Sequence, residues 1–224
     1  MFNVNVILRD LGRISFDKAL QLQNNACKQL LNSLKTNTSR NNYLFLCEHL
    51  PVYTIGIRKE YNDEDEKRLR SLGADYVVTN RGGLITFHGP GQLVAYPVLY
   101  LGDFNNRKSM KWYIQKLEMW CIRLCKKFGL KASTSVHTGV WIEDRKIAAI
   151  GVHGSRYVTT HGLALNCNTD LEWFKHIIPC GIPNKEVTSL TKELGQEITT
   201  NQVKPEFLNI FEELFQCKLI KDNL

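Results

Sequence analysis

The sequence predicts an α+β fold. Segments rich in β-branched and aromatic residues crowd the middle of the 224-residue chain, while helical periodicities lie towards its two ends. A composition of 43% hydrophobic and 23% charged residues is enough to bury the core of one sizeable domain, read here as residues 1–224.

The elements follow in order. Residues 15–34 read as an amphipathic helix, with Ile14, Phe16, Leu20, Leu30, Leu31 and Leu34 among its apolar positions, and 35–42 as a polar loop. Residues 43–50 and 52–57 are β-rich and meet at Pro51. A short charged helix is expected over 63–72, started by Asp63 with Glu66 in capping-box position and stopped by Gly73. Strands are expected at 75–79, 84–88 and 93–101. A long helix from Ser109 ends at Phe128-Gly129; within it Tyr113, Leu117, Trp120, Cys121, Leu124 and Phe128 recur at helical spacing, which makes Cys121 and Cys125 small core residues rather than metal ligands. Residues 139–143 and 146–152 form a hairpin around Asp144-Arg145, and 161–168 is a further strand. The last helices are expected at 170–177, 188–194 and 205–215.

Within this frame the run Arg81-Gly82-Gly83-Leu84-Ile85-Thr86-Phe87-His88-Gly89-Pro90-Gly91-Gln92 stands out. Glycines and a proline bend the backbone tightly while polar side chains remain on show, as a binding site requires and as plain hairpin turns also would. It lacks the Gly-Lys-Ser/Thr ending of a phosphate loop and the spacing of a dinucleotide motif.

Bulk properties restrict the function classes. The formal net charge of +7 suits nucleic acid, an anionic membrane or an acidic protein, but no nucleic-acid motif accompanies it, and Arg68, Arg70, Arg107, Lys108, Lys111, Lys126 and Lys127 are scattered as on ordinary solvated faces. No apolar stretch approaches the ~18 residues of a membrane span, so a soluble protein without membrane attachment is expected. The N-terminus has Arg9 and Arg13 but also Asp10 and no apolar signal core, which leaves at best a vestigial mitochondrial presequence. Seven cysteines without export features point to reduced thiols.

Four further blocks follow the glycine-rich run: Thr138-Gly139-Val140-Trp141; Arg145-Lys146-Ile147-Ala148-Ala149-Ile150-Gly151; His161-Gly162-Leu163-Ala164-Leu165-Asn166; and Ile178-Pro179-Cys180-Gly181-Ile182. In this order and spacing the chain, from about Leu8 to its last helix, resembles the lipoyl(octanoyl) transferases. The stretch from Asn166 to Leu194, with Trp173-Phe174 and Val187-Thr188-Ser189-Leu190, is most similar to their mitochondrial branch. The resemblance implies a biotin/lipoate protein ligase-like fold, a mixed sheet backed by helices. It also implies transfer of an octanoyl or lipoyl group from acyl carrier protein to a lysine of lipoyl domains, in the 2-oxoacid dehydrogenases and the glycine cleavage H protein. No cofactor, metal or nucleic acid is expected, and a mitochondrial location is, with a cytoplasmic one as the alternative. Acyl carrier proteins are acidic in this family's chemistry, so part of the basic surface suits that partner.

The chemistry is consistent with these residues. Passing an acyl group from a thioester to an amine without an energy source needs a nucleophile whose acyl form is about as reactive, and a cysteine thioester is. Cys180, between Pro179 and Gly181, sits in a bend able to project its sulfur, and the resemblance assigns it as the nucleophile. A free thiol is only a few per cent thiolate at pH 7. The resemblance places Lys146 as the cation that lowers its pKa. At ~4 Å and an effective dielectric near 20 such a charge stabilises a thiolate by up to ~4 kcal/mol before desolvation is subtracted. Neutral, the same lysine would accept a proton from the incoming amine. Substrate-binding segments are implied at Arg81 through His88, at Ala149, Ile150 and Gly151, and at Gly162, Leu163 and Ala164, where small residues leave room for an eight-carbon chain. His88 is a candidate to orient a catalytic group or donate to the thioester carbonyl, although a lone histidine is more often structural. His49 and His161 suit the pocket or the core equally, and His137, His153 and His176 show nothing beyond surface or core. An ATP-dependent lipoate or biotin protein ligase would share the fold without needing the cysteine. A non-enzymatic basic module for nucleic acid or acidic proteins would account for the charge but not for the ordered blocks.

Overall fold

A computed structural model describes residues 4–58, 62–104, 107–177 and 185–222. The described elements, in chain order, are β1 (Val4–Ile14), α1 (Phe16–Thr36), β2 (Asn42–His49), β3 (Val52–Ile55), α2 (Asp63–Ser71), β4 (Asp75–Val78), β5 (Thr86–His88) and β6 (Gln92–Val98). There follow a 3₁₀ turn (Leu101–Asp103), α3 (Met110–Lys127), β7 (Val140–Ile142), β8 (Arg145–Ser155), β9 (Val158–Asn166), a second 3₁₀ segment (Leu171–His176), β10 (Glu186–Val187), α4 (Leu190–Leu194), α5 (Thr200–Phe215) and β11 (Cys217–Lys221).

The larger sheet has the order β10-β8-β9-β6-β2-β1-β11, with β7 also paired to β8; a smaller sheet has the order β4-β3-β5. The larger one is mixed: β1 runs parallel to β2 and β11, and β10 parallel to β8, while β2/β6, β6/β9 and β8/β9 are antiparallel. Helices α3 and α5 cover one face with a core that includes Trp120, Phe207, Phe211 and Phe215. On the opposite face α1 supplies Phe16, Ala19, Ala26 and Leu30 to a second core with Phe45, Val94 and Tyr96. Tyr53, Phe87 and Phe174 centre a third core under the smaller sheet. This is the expected α+β architecture of a mixed sheet backed by helices.

Several boundaries differ from expectation for identifiable reasons. Strands β1 and β11 are not legible in the sequence. In β1 only Val6 and Leu8 are buried, with Arg9, Asp10, Gly12 and Arg13 interrupting any alternation, and β11 is a half-exposed edge. Helix α2 is capped one residue earlier than expected: the Asn62 side chain accepts from the amides of Glu64 and Asp65, and Asp65, not Glu66, closes the capping box. Helix α5 begins five residues before Pro205, because the Thr199/Gln202 capping box overrides the preference of proline for the first helical turn. The hairpin turns at Glu143-Asp144, not at Asp144-Arg145, with Glu143 at φ 52°. The segment expected as a helix over 170–177 is a 3₁₀ turn, and β9 ends at Asn166, which leaves the fully buried Cys167 just beyond the strand.

Candidate active site

A cavity of about 540 Å³ lies between the α1 side of the larger sheet and the loop that enters β5. Its floor follows from the alternation of β8 and β9. Ala149 pairs with Ala164 and Gly151 with Gly162, and directly paired residues share a face, so four small side chains stand together under the open space. The intervening Ile150 and Leu163 also border the cavity, but their side chains belong to the α3/α5 core. Gly162 is required by close approach: a Cβ there would stand 2.1 Å from the Ala95 carbonyl oxygen.

The roof is the glycine-rich run. The Gly82 amide donates to the Val152 carbonyl at 3.0 Å, which ties the loop to β8. Arg81 is 7% exposed, and its guanidinium donates to the Thr54 carbonyl and hydroxyl at 2.6 and 2.9 Å and to the Gly82 carbonyl at 3.0 Å. Arg81 thus pins the roof to the smaller sheet as well as lining the cavity. Gly82, Gly83, Leu84, Thr86 and His88 also line it. Ile85 and Phe87 do not, contrary to expectation: successive residues of an extended segment face opposite ways, and these two are buried in the third core, where Phe87 stacks on Trp173 with centroids 4.9 Å apart.

Lys146 reaches the cavity through a β-bulge. Val140 pairs with Ala148 but Trp141 pairs with Lys146, so Ile147 is the extra residue, and Lys146 shares the cavity wall with Ala149 although the two lie an odd number of positions apart. The residue is 5% exposed, with the ammonium 4.7 Å from the Trp141 ring centroid. Gly139, at φ 129°, makes this possible: a Cβ there would sit 2.8 Å from the Ala148 carbonyl oxygen and 3.3 Å from Lys146 Cε. A niche of about 10 Å³, the size of one water, opens beside Lys146 between Thr86, Gln92, Asn166 and Val187.

A chain of hydrogen bonds connects this lysine to His88. Nδ1–H of His88 donates to Gln92 Oε1 at 2.7 Å; the Gln92 amide donates to Asn166 Oδ1 at 2.9 Å; the Asn166 amide donates to the Thr188 carbonyl at 2.9 Å. The Thr188 amide donates to the Lys146 carbonyl at 2.9 Å, and Val187 pairs with Lys146 in parallel register. Burial, then the neighbouring His49 and Arg81, lowers the His88 pKa to about 3, so its ring is neutral at physiological pH. His49 is fully buried and is not a cavity wall: its Nδ1–H donates to the Ile14 carbonyl and its Nε2 accepts from the Tyr96 hydroxyl, with burial lowering its pKa to about 4. His161 does line the cavity, its ring donating to Asn80 Oδ1 at 2.8 Å.

Cys180 and the rest of its Pro-Cys-Gly block lie outside the described residues. Its flanks are described: Ile177 is buried in the third core, and Glu186 and Val187 pair with Arg145 and Lys146. Phe16, Val94 and Tyr96 are also walls, and nothing in the strand and helix patterns marks them as more than core. His137, expected to have no role, lines the cavity beside Thr138, whose place in the Thr138-Gly139-Val140-Trp141 block was the available clue.

Burial weakens the described cysteines as nucleophiles. It raises the pKa of Cys125 and Cys217 to about 12, and pushes Cys47, Cys121 and Cys167 well above the ordinary thiol range. The described part of the site is therefore a half-apolar trough that ends on a buried amine.

Residues 17–212 match the family model of the lipoyl protein ligase A/B catalytic domain. The chain is 55% identical over 210 residues to the mitochondrial octanoyl-[acyl-carrier-protein]:protein N-octanoyltransferase of Danio rerio, covering 93% of this chain and 92% of that protein. It is 46% identical to the human protein of the same name, covering 95% and 94%. Among solved structures, a bipartite lipoate protein ligase from Thermoplasma acidophilum superposes with a TM-score of 0.70 at 14% identity, covering 98% of this chain and 86% of that one, which is a likeness of fold. The chain therefore belongs to the lipoyl protein ligase A/B catalytic-domain family, in its octanoyltransferase branch.

Proposed function

We propose that this acyltransferase moves an octanoyl group from octanoyl-acyl carrier protein to the acceptor lysine of lipoyl domains, through a thioester on Cys180. The observation that carries the reading is the buried Lys146, re-aimed by its bulge to the end of a trough floored by alanine and glycine, beside the strand that follows the Cys180 block. The trough volume falls in the range of small-molecule pockets, about 300–1,000 Å³.

In the first half-reaction the Cys180 thiolate, whose proton Lys146 holds, attacks the thioester carbonyl; the carrier's sulfur leaves as thiolate and takes that proton, which leaves Lys146 neutral. In the second, the acceptor amine attacks the new thioester, Cys180 leaves as thiolate, and Lys146 takes the amine proton before passing it to the sulfur. Backbone amides of the glycine-containing roof are suited to the oxyanion. Substrate contacts are assigned to Arg81, Gly82, Gly83, Leu84, Thr86 and His88 of the roof, and to Ala149, Ile150, Gly151, Gly162, Leu163 and Ala164 of the floor. Ile85 and Phe87 support the roof from behind. The Danio rerio and human relatives are mitochondrial by name, and the reaction is assigned to that compartment. There the acceptors are the lipoyl domains of the 2-oxoacid dehydrogenases and the glycine cleavage H protein.

Incubation with octanoyl-carrier protein, followed by intact mass and peptide mapping, should show one added octanoyl group on Cys180, discharged by a lipoyl domain without ATP. A chain that modifies the lipoyl domain only when given free octanoate and ATP, with no acyl-enzyme, would instead be a ligase.

A further inference from the structure

We infer that the protein measures acyl length across its sheet, with Phe16 as the stop. The inference rests on the octanoyl-transfer reading and concerns where the alkyl chain runs. Ala149 of β8 pairs with Ala164 of β9, which pairs with Val94 of β6, so these three form one row on the cavity face. The row starts on the side of Lys146 and ends at the second core, where Phe16 of α1, Tyr96 and His88 close the cavity. Strands lie ~4.8 Å apart, so the step from β8 to β6 covers ~9.5 Å. Carbon–carbon bonds of ~1.5 Å at ~111° advance ~1.25 Å each, and the seven bonds of an octanoyl chain span ~9 Å. The row and the chain therefore match in length.

Side-chain size along the row follows the same logic. Two alanines leave the floor low under the first carbons, valine raises it, and Phe16 stands at the end, buried and parallel to the His88 ring at 6.3 Å. The Tyr96 hydroxyl donates to His49 and His88 Nδ1–H to Gln92, so neither of these two polar groups is left for the alkyl end. The other direction out of the cavity runs along β8 towards Val152, past Arg81 and His161, where, among the described residues, no aromatic wall of the second core stands in the way of a longer group.

The test is a chain-length profile. Hexanoyl-, octanoyl-, decanoyl- and dodecanoyl-carrier protein are offered in single-turnover assays to the wild-type chain and to Phe16→Ala, Phe16→Leu, Ala164→Val and Val152→Ala, each first checked for folding by thermal melt. Phe16→Ala is expected to raise acylation by decanoyl and dodecanoyl relative to octanoyl by ~4-fold per added methylene. Phe16→Leu should do so for decanoyl alone, and Ala164→Val should shift the preference to hexanoyl. Phe16→Leu and Ala164→Val keep the question open to an answer if Phe16→Ala does not fold. Folded variants whose profiles match the wild type, or a profile moved by Val152→Ala instead, would overturn the ruler. A wild-type chain that takes no acyl group from any carrier would overturn the underlying transfer reading.

Discussion

The two faces of the β8–β9 ladder are built from the same strands and do opposite work. On one face Ile147, Ala148, Leu163 and Leu165 join the core under α3 and α5, where Trp120 stacks on Phe207 with centroids 4.0 Å apart and its indole N–H donates to the Phe207 carbonyl at 2.6 Å. On the other face Ala149, Gly151, Gly162 and Ala164 leave space. At ~0.8 kcal/mol per buried methylene, an alanine where a leucine would fit forgoes ~2 kcal/mol of burial. One face holds the fold so that the other can remain underfilled, and the bulge at Ile147 is the point where Lys146 is moved from the first face to the second.

If that division holds, the cavity face should yield the largest catalytic losses with little loss of stability. Cys180→Ala is expected to reduce octanoyl transfer by at least ~10⁴-fold while leaving the melting temperature unchanged, measured by steady-state transfer alongside calorimetry. Near-normal turnover would remove the covalent step. Lys146→Ala should cost ~10²–10⁴-fold in both half-reactions. Lys146→Arg should keep a low Cys180 thiol pKa and fast acylation but discharge slowly, because a guanidinium stays protonated. Alkylation rates against pH and single-turnover discharge to a lipoyl domain separate the two roles; an unchanged thiol pKa in Lys146→Ala would make this lysine a bystander.

The packed face should respond in the opposite way. Phe207→Ala removes a fully buried ring that Trp120 stacks on and should destabilise the chain by ~3–5 kcal/mol, read from urea midpoints. The activity of the molecules that remain folded should be close to normal. A variant that stays folded but loses transfer would show that the two faces are coupled.

What the sequence made legible follows the same division. Helix α3 was readable because Tyr113, Leu117, Trp120, Cys121 and Leu124 point one way at helical spacing, and all five are buried. The small residues of β8 and β9 were readable as room for a ligand because glycine and alanine inside apolar strands give up burial. What could not be read was anything that depends on partners distant in the chain. Phe16 meets His88, and Gln23 on α1 accepts from the backbone amide of His161, only after α1 has docked on β9. The relay through Gln92 and Asn166 joins positions 74 residues apart. The bulge that turns Lys146 needs the pairing of β7 with β8, and no local pattern of Arg145-Lys146-Ile147 announces it.

The buried histidines give the division a pH dependence. His49 is held neutral with a pKa of about 4, and His88 and His161 with pKa values of about 3, all chiefly by burial. In the unfolded chain each would titrate near its ordinary value of ~6.5. Their native pKa values are depressed, so the stability associated with keeping them neutral is complete above pH ~6.5 and is lost as pH falls towards 4, by up to ~1.4 kcal/mol per pH unit for each ring. Urea denaturation at pH 7, 6 and 5 should show this slope, and His49→Gln should reduce it; an unchanged slope in that variant would mean that carboxylates, not the histidine cluster, set the acid limit.

The smallest effect is expected at the edge of the packed half. Lys204 of α5 contacts Asp10 of β1 at 2.8 Å, with side chains 18% and 45% exposed, so the pair is largely screened by water. A double-mutant cycle with Lys204→Ala and Asp10→Ala should return a coupling of ~0.2–1 kcal/mol that shrinks in high salt, with octanoyl transfer unaltered. The two residues join the last helix to the first strand, on a helix whose buried side chains belong to the α3/α5 core and not to the cavity wall. A measurable change in acyl transfer from either substitution would therefore mean that strain on the packed side reaches the floor of the site, and the faces of the sheet could no longer be treated as independent.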